Sequence, residues 1–132
     1  MTAPDGPSQP RPSALMSGYT VRLEDVGKDD VQRCGGKGAN LGELTRAGVR
    51  IPPGFCVTAG ALPYLVEANS LSAAIAEIAG RLDFEDLNAV EAETARIRDL
   101  IASATIPADL EAEIRERYRA LVSDENTYVA VR

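Results

Sequence analysis

Apolar and polar residues alternate along Tyr19–Leu23, and a period of two is typical of a half-buried strand. A second short apolar run, Phe55–Val57, is also predicted to be a strand. It follows Ile51-Pro52-Pro53-Gly54, a rigid turn that neither a regular strand nor a helix can absorb. The mainly polar residues 24–32 are predicted to form a turn or a short helical connection. The pattern therefore predicts few short strands in this part of the chain.

The rest of the chain has mostly helical periodicity, with apolar residues recurring at steps of three and four. Gly48 is a plausible stop for the first helix. Thr58 is a suitable N-cap for the second, and Pro107 fits an early position of the last. The predicted apolar helix faces are Leu41 and Leu44; Leu62, Leu65 and Val66; Leu71, Ile75 and Ile78; Leu87, Val90, Thr94, Ile97 and Ile101; and Leu110, Ile114, Tyr118 and Leu121.

The two ends of the chain carry different patterns. Residues 1–17 are rich in proline and small polar residues and predict a disordered leader. At the other end, a predicted turn at residues 123–126 precedes Thr127–Val131, which is β-prone and leads directly to Arg132. Because a strand needs neighbours to pair its backbone, we interpret the sequence as truncated relative to a longer parent protein.

Composition excludes several classes of function. The 132 residues suit one domain at most, and a net charge of −6 argues against a nucleic-acid partner. The absence of histidine excludes a histidine base, a histidine metal ligand and a phosphohistidine within these residues. No apolar run approaches the roughly 18 residues needed to span a bilayer, and no signal peptide is evident. We therefore expect a cytoplasmic protein with no membrane partner, and reduced thiols at Cys34 and Cys56.

The chemistry-bearing segment is Gly35-Gly36-Lys37-Gly38, which opens a helical pattern. Glycines allow the backbone to approach a ligand closely, and the start of a helix attracts anions such as phosphate. Lys37 adds a full positive charge at the same place. The spacing differs from both the Walker A loop and G-x-G-x-x-G. From the residues alone, a phosphate site and a tight loop with a solvated lysine both remain open.

The wider sequence is more specific. Cys34–Leu44 (CGGKGANLGEL), followed by Gly48-Val49 and Ile51–Thr58 (IPPGFCVT), resembles the start of the pyruvate phosphate dikinase / phosphoenolpyruvate synthase family. The phosphoenolpyruvate synthase and rifampicin phosphotransferase branches look most similar. The resemblance runs from about Tyr19 to Arg132, and its specific motifs lie between Gly35 and Thr58.

This resemblance implies an α+β fold, with few short strands and several helices. Residues 18–132 would be the N-terminal lobe of a partial ATP-grasp domain, truncated at its C-terminus. Lys37 matches the family lysine that reaches the ATP phosphates, within the loop formed by Gly35, Gly36 and Gly38. Arg132 matches an arginine that contacts the nucleotide, although a terminal arginine is also commonly a solvated end. Mg²⁺ ligands are expected outside this chain, and no catalytic or metal-binding residue is assigned within it.

The function implied is that of the ATP-binding portion of a phosphotransferase resembling phosphoenolpyruvate synthase. Such an enzyme splits ATP to AMP and transfers a phosphoryl group to pyruvate through a phosphohistidine. The expected partners are ATP, a small-molecule phosphoryl acceptor, and the missing C-terminal lobe and phosphohistidine domain. The fragment alone is expected to be inactive. Two alternatives remain: a fragment of a rifampicin phosphotransferase-like enzyme, and a non-catalytic remnant or interaction module of the same fold.

Overall fold

The structure, a computed structural model, describes residues 18–122, 124 and 127–132. Its elements in chain order are β1 (Thr20–Arg22), α1 (Val31–Arg46), β2 (Phe55–Val57), α2 (Ala61–Ala68), α3 (Ser72–Gly80), α4 (Leu87–Ala102) and α5 (Ala108–Leu121). Two single 3₁₀ turns, Leu23–Asp25 and Lys28–Asp30, connect β1 to α1. The described chain is mostly helical with a small sheet, which is consistent with a partial α+β domain.

β1 and β2 form a two-stranded antiparallel sheet in which Val21 lies opposite Cys56. Backbone hydrogen bonds continue the pairing beyond both ends, because Thr58 N–H donates to the Tyr19 carbonyl (2.8 Å) and Leu23 N–H donates to the Gly54 carbonyl (2.9 Å). Directly opposite residues of such a pair share one face of the sheet. Val21 and Cys56 therefore face the same way, towards α1.

Helix α1 packs very closely against the segment that follows β1. A Cβ added at Gly42 would lie 2.2 Å from the Val26 carbonyl oxygen and 2.7 Å from its carbonyl carbon. The Val26 side chain is fully buried beneath the helix, and Ala39 is 2% exposed. Glu43 adds a polar link, since its Oε1 accepts a hydrogen bond from Lys28 N–H at 2.8 Å. Helix α1 is thus held against the segment that follows β1 by close contact with its backbone.

Helix α5 is tied to β1 through a buried carboxylate. Glu113 is 2% exposed, and its Oε1 accepts hydrogen bonds from the backbone N–H (2.8 Å) and the hydroxyl (2.6 Å) of Thr20. Arg117 Nε–H donates to the same hydroxyl oxygen at 3.1 Å. A buried charge is tolerated only when it is hydrogen-bonded, and these contacts meet that condition. Since Thr20 and Val21 alternate along the strand, α5 and α1 lie on opposite faces of the sheet.

Helix α2 is joined to its surroundings by an aromatic stack and by polar contacts. The Tyr19 and Tyr64 rings are stacked with centroids 4.9 Å apart, and the Tyr64 hydroxyl donates to Asp109 Oδ1 at 2.9 Å. At the end of α2, Asn69 makes two hydrogen bonds to the backbone of Thr105. These contacts hold the starts of β1 and α5 against α2.

Most of the predicted elements are confirmed, including both short strands and the helices at residues 72–80, 87–102 and 108–121. Gly48 is also confirmed as the helix stop, since it has φ of 81° and its N–H donates to the Thr45 carbonyl. Val49 N–H donates to the Leu44 carbonyl at 3.0 Å, which completes a Schellman motif.

Two predictions about secondary structure are wrong. Thr58 is not the N-cap of α2, which begins three residues later at Ala61 without a side-chain cap. Thr127–Val131 forms no strand, and Tyr128 and Val131 are 97% and 91% exposed. The predicted leader at residues 1–17, and positions 123, 125 and 126 of the predicted turn, lie outside the described residues.

No helix within the described ranges is long and apolar enough to cross a membrane.

We expect Gly42→Ala to lower the free energy of unfolding by about 2–3 kcal/mol, because the new methyl group would overlap the Val26 backbone. Gly80→Ala is the matched control. Gly80 ends α3, and a Cβ added there meets nothing within 4 Å, so the change should be neutral or slightly stabilising. Urea denaturation followed by circular dichroism measures both. Equal effects of the two substitutions would contradict the packing assigned to Gly42.

Candidate functional site

Gly35, Gly36, Lys37 and Gly38 lie within α1, at the point where the helix is interrupted. Gly35 has φ of 73° and ψ of 165°, a combination that is not helical. Residues 31–34 therefore form a first turn, and residues 36–46 form a second helical segment with a start of its own. The predicted helix after the glycines is confirmed, but the loop before it is reduced to a single residue.

The two leading glycines differ in what the backbone requires. The dihedral angles of Gly35 fall in a region that is almost restricted to glycine. Gly36 has helical angles. A Cβ added at either residue would meet nothing within 4 Å, so the surface around both is open. Gly35 is needed for the break in the helix, whereas nothing in the packing requires glycine at position 36.

Gly38 is turned towards the protein interior. It is buried, and a Cβ there would lie 2.8 Å from Cys56 Sγ and 3.2 Å from Cys34 Cβ. The close contact of α1 with β2 requires the missing side chain. Gly38 therefore has a packing role that its place in the glycine cluster does not reveal.

Lys37 is exposed on the first turn of residues 36–46. Among the described residues it makes no side-chain hydrogen bond and no ion pair, whereas six arginines do form ion pairs (Arg22, Arg33, Arg46, Arg81, Arg96 and Arg115). A positive charge near the start of a helix also opposes the helix dipole. An anion bound at this surface would relieve that repulsion, so Lys37 is the candidate ligand for a phosphate group.

Arg132 lies at the end of the exposed segment 127–132. Within the described ranges, no hydrogen bond or ion pair joins Arg132 to α1. The structure thus groups Gly35, Gly36, Lys37 and Gly38 on one helix, and within the described ranges no such bond links Arg132 to them. The role of Arg132 stays a prediction, as does that of the other four residues.

A cavity elsewhere on the molecule is not the candidate site. It has a volume of about 380 Å³ and lies between the first 3₁₀ turn, Pro52–Gly54 and the end of α5. Its two arginines are already engaged: Arg22 pairs with Glu24 (2.6 Å) and Asp25 (2.9 Å), and Arg117 bonds to Thr20. The hydrogen bond and charge of Asp25 raise the pKa of Arg22. Lys37 does not line this cavity, so we favour the open surface of α1.

No metal site is formed within the part of the chain that the structure describes, where no three acidic, histidine or cysteine side chains cluster suitably. Two spatial features were not predicted from the sequence. One is Glu113, whose position three residues after Leu110 places a carboxylate on a predicted apolar face. The other is the contact of Cys34 and Cys56 with Gly38, for which the sequence carries no local signal.

Comparison with known proteins points to nucleotide binding. A family model described as pyruvate phosphate dikinase, AMP/ATP-binding domain, matches residues 31–132. A probable phosphoenolpyruvate synthase of Methanothermobacter thermautotrophicus is 40% identical over 124 residues, covering 92% of this chain and 18% of the relative. A probable phosphoenolpyruvate synthase of Staphylothermus marinus is 42% identical over 119 residues, covering 86% and 14%.

The phosphoenolpyruvate synthase of Pseudomonas aeruginosa is 40% identical over 119 residues, covering 86% of this chain and 15% of the relative. The chain therefore spans less than a fifth of the length of these curated relatives.

Alanine substitutions at Gly35 and Gly36 should have different effects on stability. We expect Gly35→Ala to lower the free energy of unfolding by about 1–3 kcal/mol, because alanine is strained at its dihedral angles. Gly36→Ala should be neutral or stabilise by up to about 1 kcal/mol, because alanine favours the helix. Neither new methyl group has a neighbour within 4 Å, so steric overlap contributes to neither result. Thermal and urea unfolding measure both, and a larger loss for Gly36→Ala would contradict the assigned break.

Proposed function

The chain belongs to the pyruvate phosphate dikinase AMP/ATP-binding domain family, and on that basis we propose that it supplies one part of the ATP site of a phosphotransferase. The phosphotransferase is of the phosphoenolpyruvate synthase type. The structural observation that carries the proposal is Lys37, an exposed cation on the first turn of residues 36–46 with no side-chain partner among the described residues. In this proposal its ammonium group contacts the phosphates of ATP.

The backbone around Lys37 supports the same role. Gly35 starts a new helical segment, and the amide groups of a first helical turn, together with the helix dipole, favour an anion. The open space at Gly35 and Gly36 lets a phosphate group approach the backbone closely. Gly38 lies one residue beyond Lys37 and contributes through its packing on β2, which fixes the direction of the segment. The four residues would act together as a phosphate-binding surface.

The finer fold and the second cationic group belong to the proposal as well. We assign the chain to the N-terminal part of an ATP-grasp domain, with residues 18–132 as that part. Arg132 would contact the nucleotide once residues 127–131 are paired as a strand. A guanidinium group in that place can bind a phosphate through two parallel hydrogen bonds. Mg²⁺ would be held by residues outside this chain.

The proposed reaction converts ATP to AMP and transfers a phosphoryl group to pyruvate through a phosphohistidine. The names of the relatives, all phosphoenolpyruvate synthases, support this branch over the rifampicin phosphotransferase branch. The 132 residues contain no histidine, so the phosphorylated residue would lie in another part of the enzyme. The contribution of this chain is to position and neutralise phosphate charge, the main source of catalysis in phosphoryl transfer.

In the phosphotransferase that contains this segment, we expect Lys37→Ala to lower kcat/KM for ATP about 100-fold or more. The reason is that the substitution removes the positive charge that would neutralise the phosphates during transfer. Lys28→Ala is the matched control. Lys28 is the other lysine of the chain, is also exposed, and uses only its backbone N–H in a hydrogen bond to Glu43. Its removal should change kcat/KM by about twofold at most. Pyruvate-dependent AMP formation measures both, and an unaffected Lys37→Ala enzyme would remove Lys37 from the site.

We expect the 132-residue chain by itself to bind ATP with a dissociation constant weaker than about 1 mM. The reason is that the proposed site combines this segment with residues that the relatives carry outside the matched region. Isothermal titration calorimetry with and without Mg²⁺ provides the measurement. Tight, Mg²⁺-dependent binding would contradict the proposal that the site is shared.

A further inference from the structure

The two cysteines lie side by side, although 21 residues separate them along the chain. Cys34 is the last residue before the Gly35 break, and Cys56 is the central residue of β2. Cys34 Cβ and Cys56 Sγ both lie next to the point where a Gly38 Cβ would be, at 3.2 and 2.8 Å. These two atoms are therefore at most about 6 Å apart. Both side chains are partly exposed, so a small oxidant can reach them.

A backbone contact holds the same two segments together. Ala59 N–H donates a hydrogen bond to the Arg33 carbonyl at 2.8 Å, which joins the residue before Cys34 to the segment after β2. The absence of a side chain at Gly38 leaves no atom between the thiols that would keep them apart. The proximity of the cysteines is thus set by the packing of α1 on β2.

We propose that Cys34 and Cys56 form a redox-active dithiol that closes to an intrachain disulfide when the protein meets a hydroperoxide. Disulfide formation requires the two β-carbons to approach to about 3.5–4.5 Å. Cys34 Cβ and Cys56 Sγ already lie within about 6 Å of each other, since both lie next to Gly38. A reversible disulfide of this kind differs from a structural one, because the reduced thiols are the resting state inside a cell.

The chemistry balances with one equivalent of peroxide. The Cys34 thiolate attacks a peroxide oxygen, the O–O bond breaks, hydroxide leaves, and Cys34 becomes a sulfenic acid. The Cys56 thiol then attacks that sulfur, an S–S bond forms, and water leaves with the proton of the thiol. Burial and the neighbouring Cys34 raise the pKa of the Cys56 thiol, which suits the second, resolving role. Two electrons pass from the two sulfurs to the peroxide.

Closure would tie the first turn of α1 to β2 immediately before the Gly35 break and Lys37. It would therefore fix the start of the helical segment that carries the phosphate-binding surface. This one consequence, a change in nucleotide affinity on oxidation, rests on the proposed function. The disulfide itself does not.

The test uses the full chain treated with hydrogen peroxide, followed by alkylation of the remaining thiols and mass spectrometry. We expect a loss of 2 mass units relative to the reduced chain, no alkylation, and a single linked peptide pair joining Cys34 to Cys56. Dithiothreitol should restore two alkylated thiols. Chains in which both thiols still alkylate, or in which each cysteine oxidises to sulfinic acid without a linked peptide, would overturn the proposal. Linkage between separate chains would also overturn it.

Two further measurements test whether the fold creates the pair. Unfolding the chain in urea should slow intrachain closure at least about tenfold, because proximity then depends on a flexible loop. An unchanged rate would contradict a preformed dithiol. In Cys56→Ser, dimedone should trap a sulfenic acid at Cys34, whereas Cys34→Ser should give little trapping at Cys56; the reverse result would contradict the assigned order. Circular dichroism checks that both variants fold, and the urea comparison needs neither of them.

A final experiment tests separately whether oxidation changes ATP use. ATP use by the phosphotransferase containing this segment is compared before and after oxidation, with the linked peptide measured in the same sample. Closure with unchanged ATP use contradicts the coupling and leaves the dithiol supported. If the Lys37→Ala variant uses ATP normally, the proposed function is contradicted. The mass of the linked peptide still shows whether the disulfide forms.

Discussion

The contact on which the rest of the structure depends is the approach of α1 to the backbone beneath it. Gly38 and Gly42 are four residues apart and therefore share one face of the helix. Side chains at these positions would overlap Cys56 and the Val26 carbonyl group. Their absence lets the helix lie directly on β2 and on the segment after β1. Both faces of the two-stranded sheet are then covered, one by α1 and the other by α5, so a very small sheet can be stable.

Much of this fold could be predicted because its elements carry strong local patterns. Phe55–Val57 is apolar and follows a proline-rich turn, and α4 has apolar residues at regular helical steps. The predictions that were wrong concern segments whose conformation depends on contacts with distant parts of the chain. Thr127–Val131 has high β-propensity, but that propensity reflects packing against a neighbouring strand, and none pairs with it among the described residues. Thr58 is a good capping residue, yet its backbone is used to extend the sheet to Tyr19.

The candidate site was predictable only in part for the same reason. The exposed position of Lys37 on a helix after a glycine break agrees with the sequence pattern. The packing role of Gly38 was not predictable, because it depends on contact with Cys56, eighteen residues away. Glu113 can be buried because its carboxylate accepts hydrogen bonds from two donors of Thr20, a residue 93 positions away in the sequence. Local sequence identifies the groups with useful chemistry, and long-range packing decides which of them face a ligand.

The glycines of α1 fall into two groups, those needed for packing and those with open space around them. Gly38 and Gly42 disfavour the helix locally, but their close contacts compensate for this cost. Gly36 has open space around it, and Lys37 opposes the helix dipole, so neither choice improves the fold. Local choices that oppose stability without a packing benefit are expected at functional sites. The same short sequence therefore contains a structural half, which places the helix, and an exposed half, whose residues folding does not explain and the anion that we propose they bind would explain.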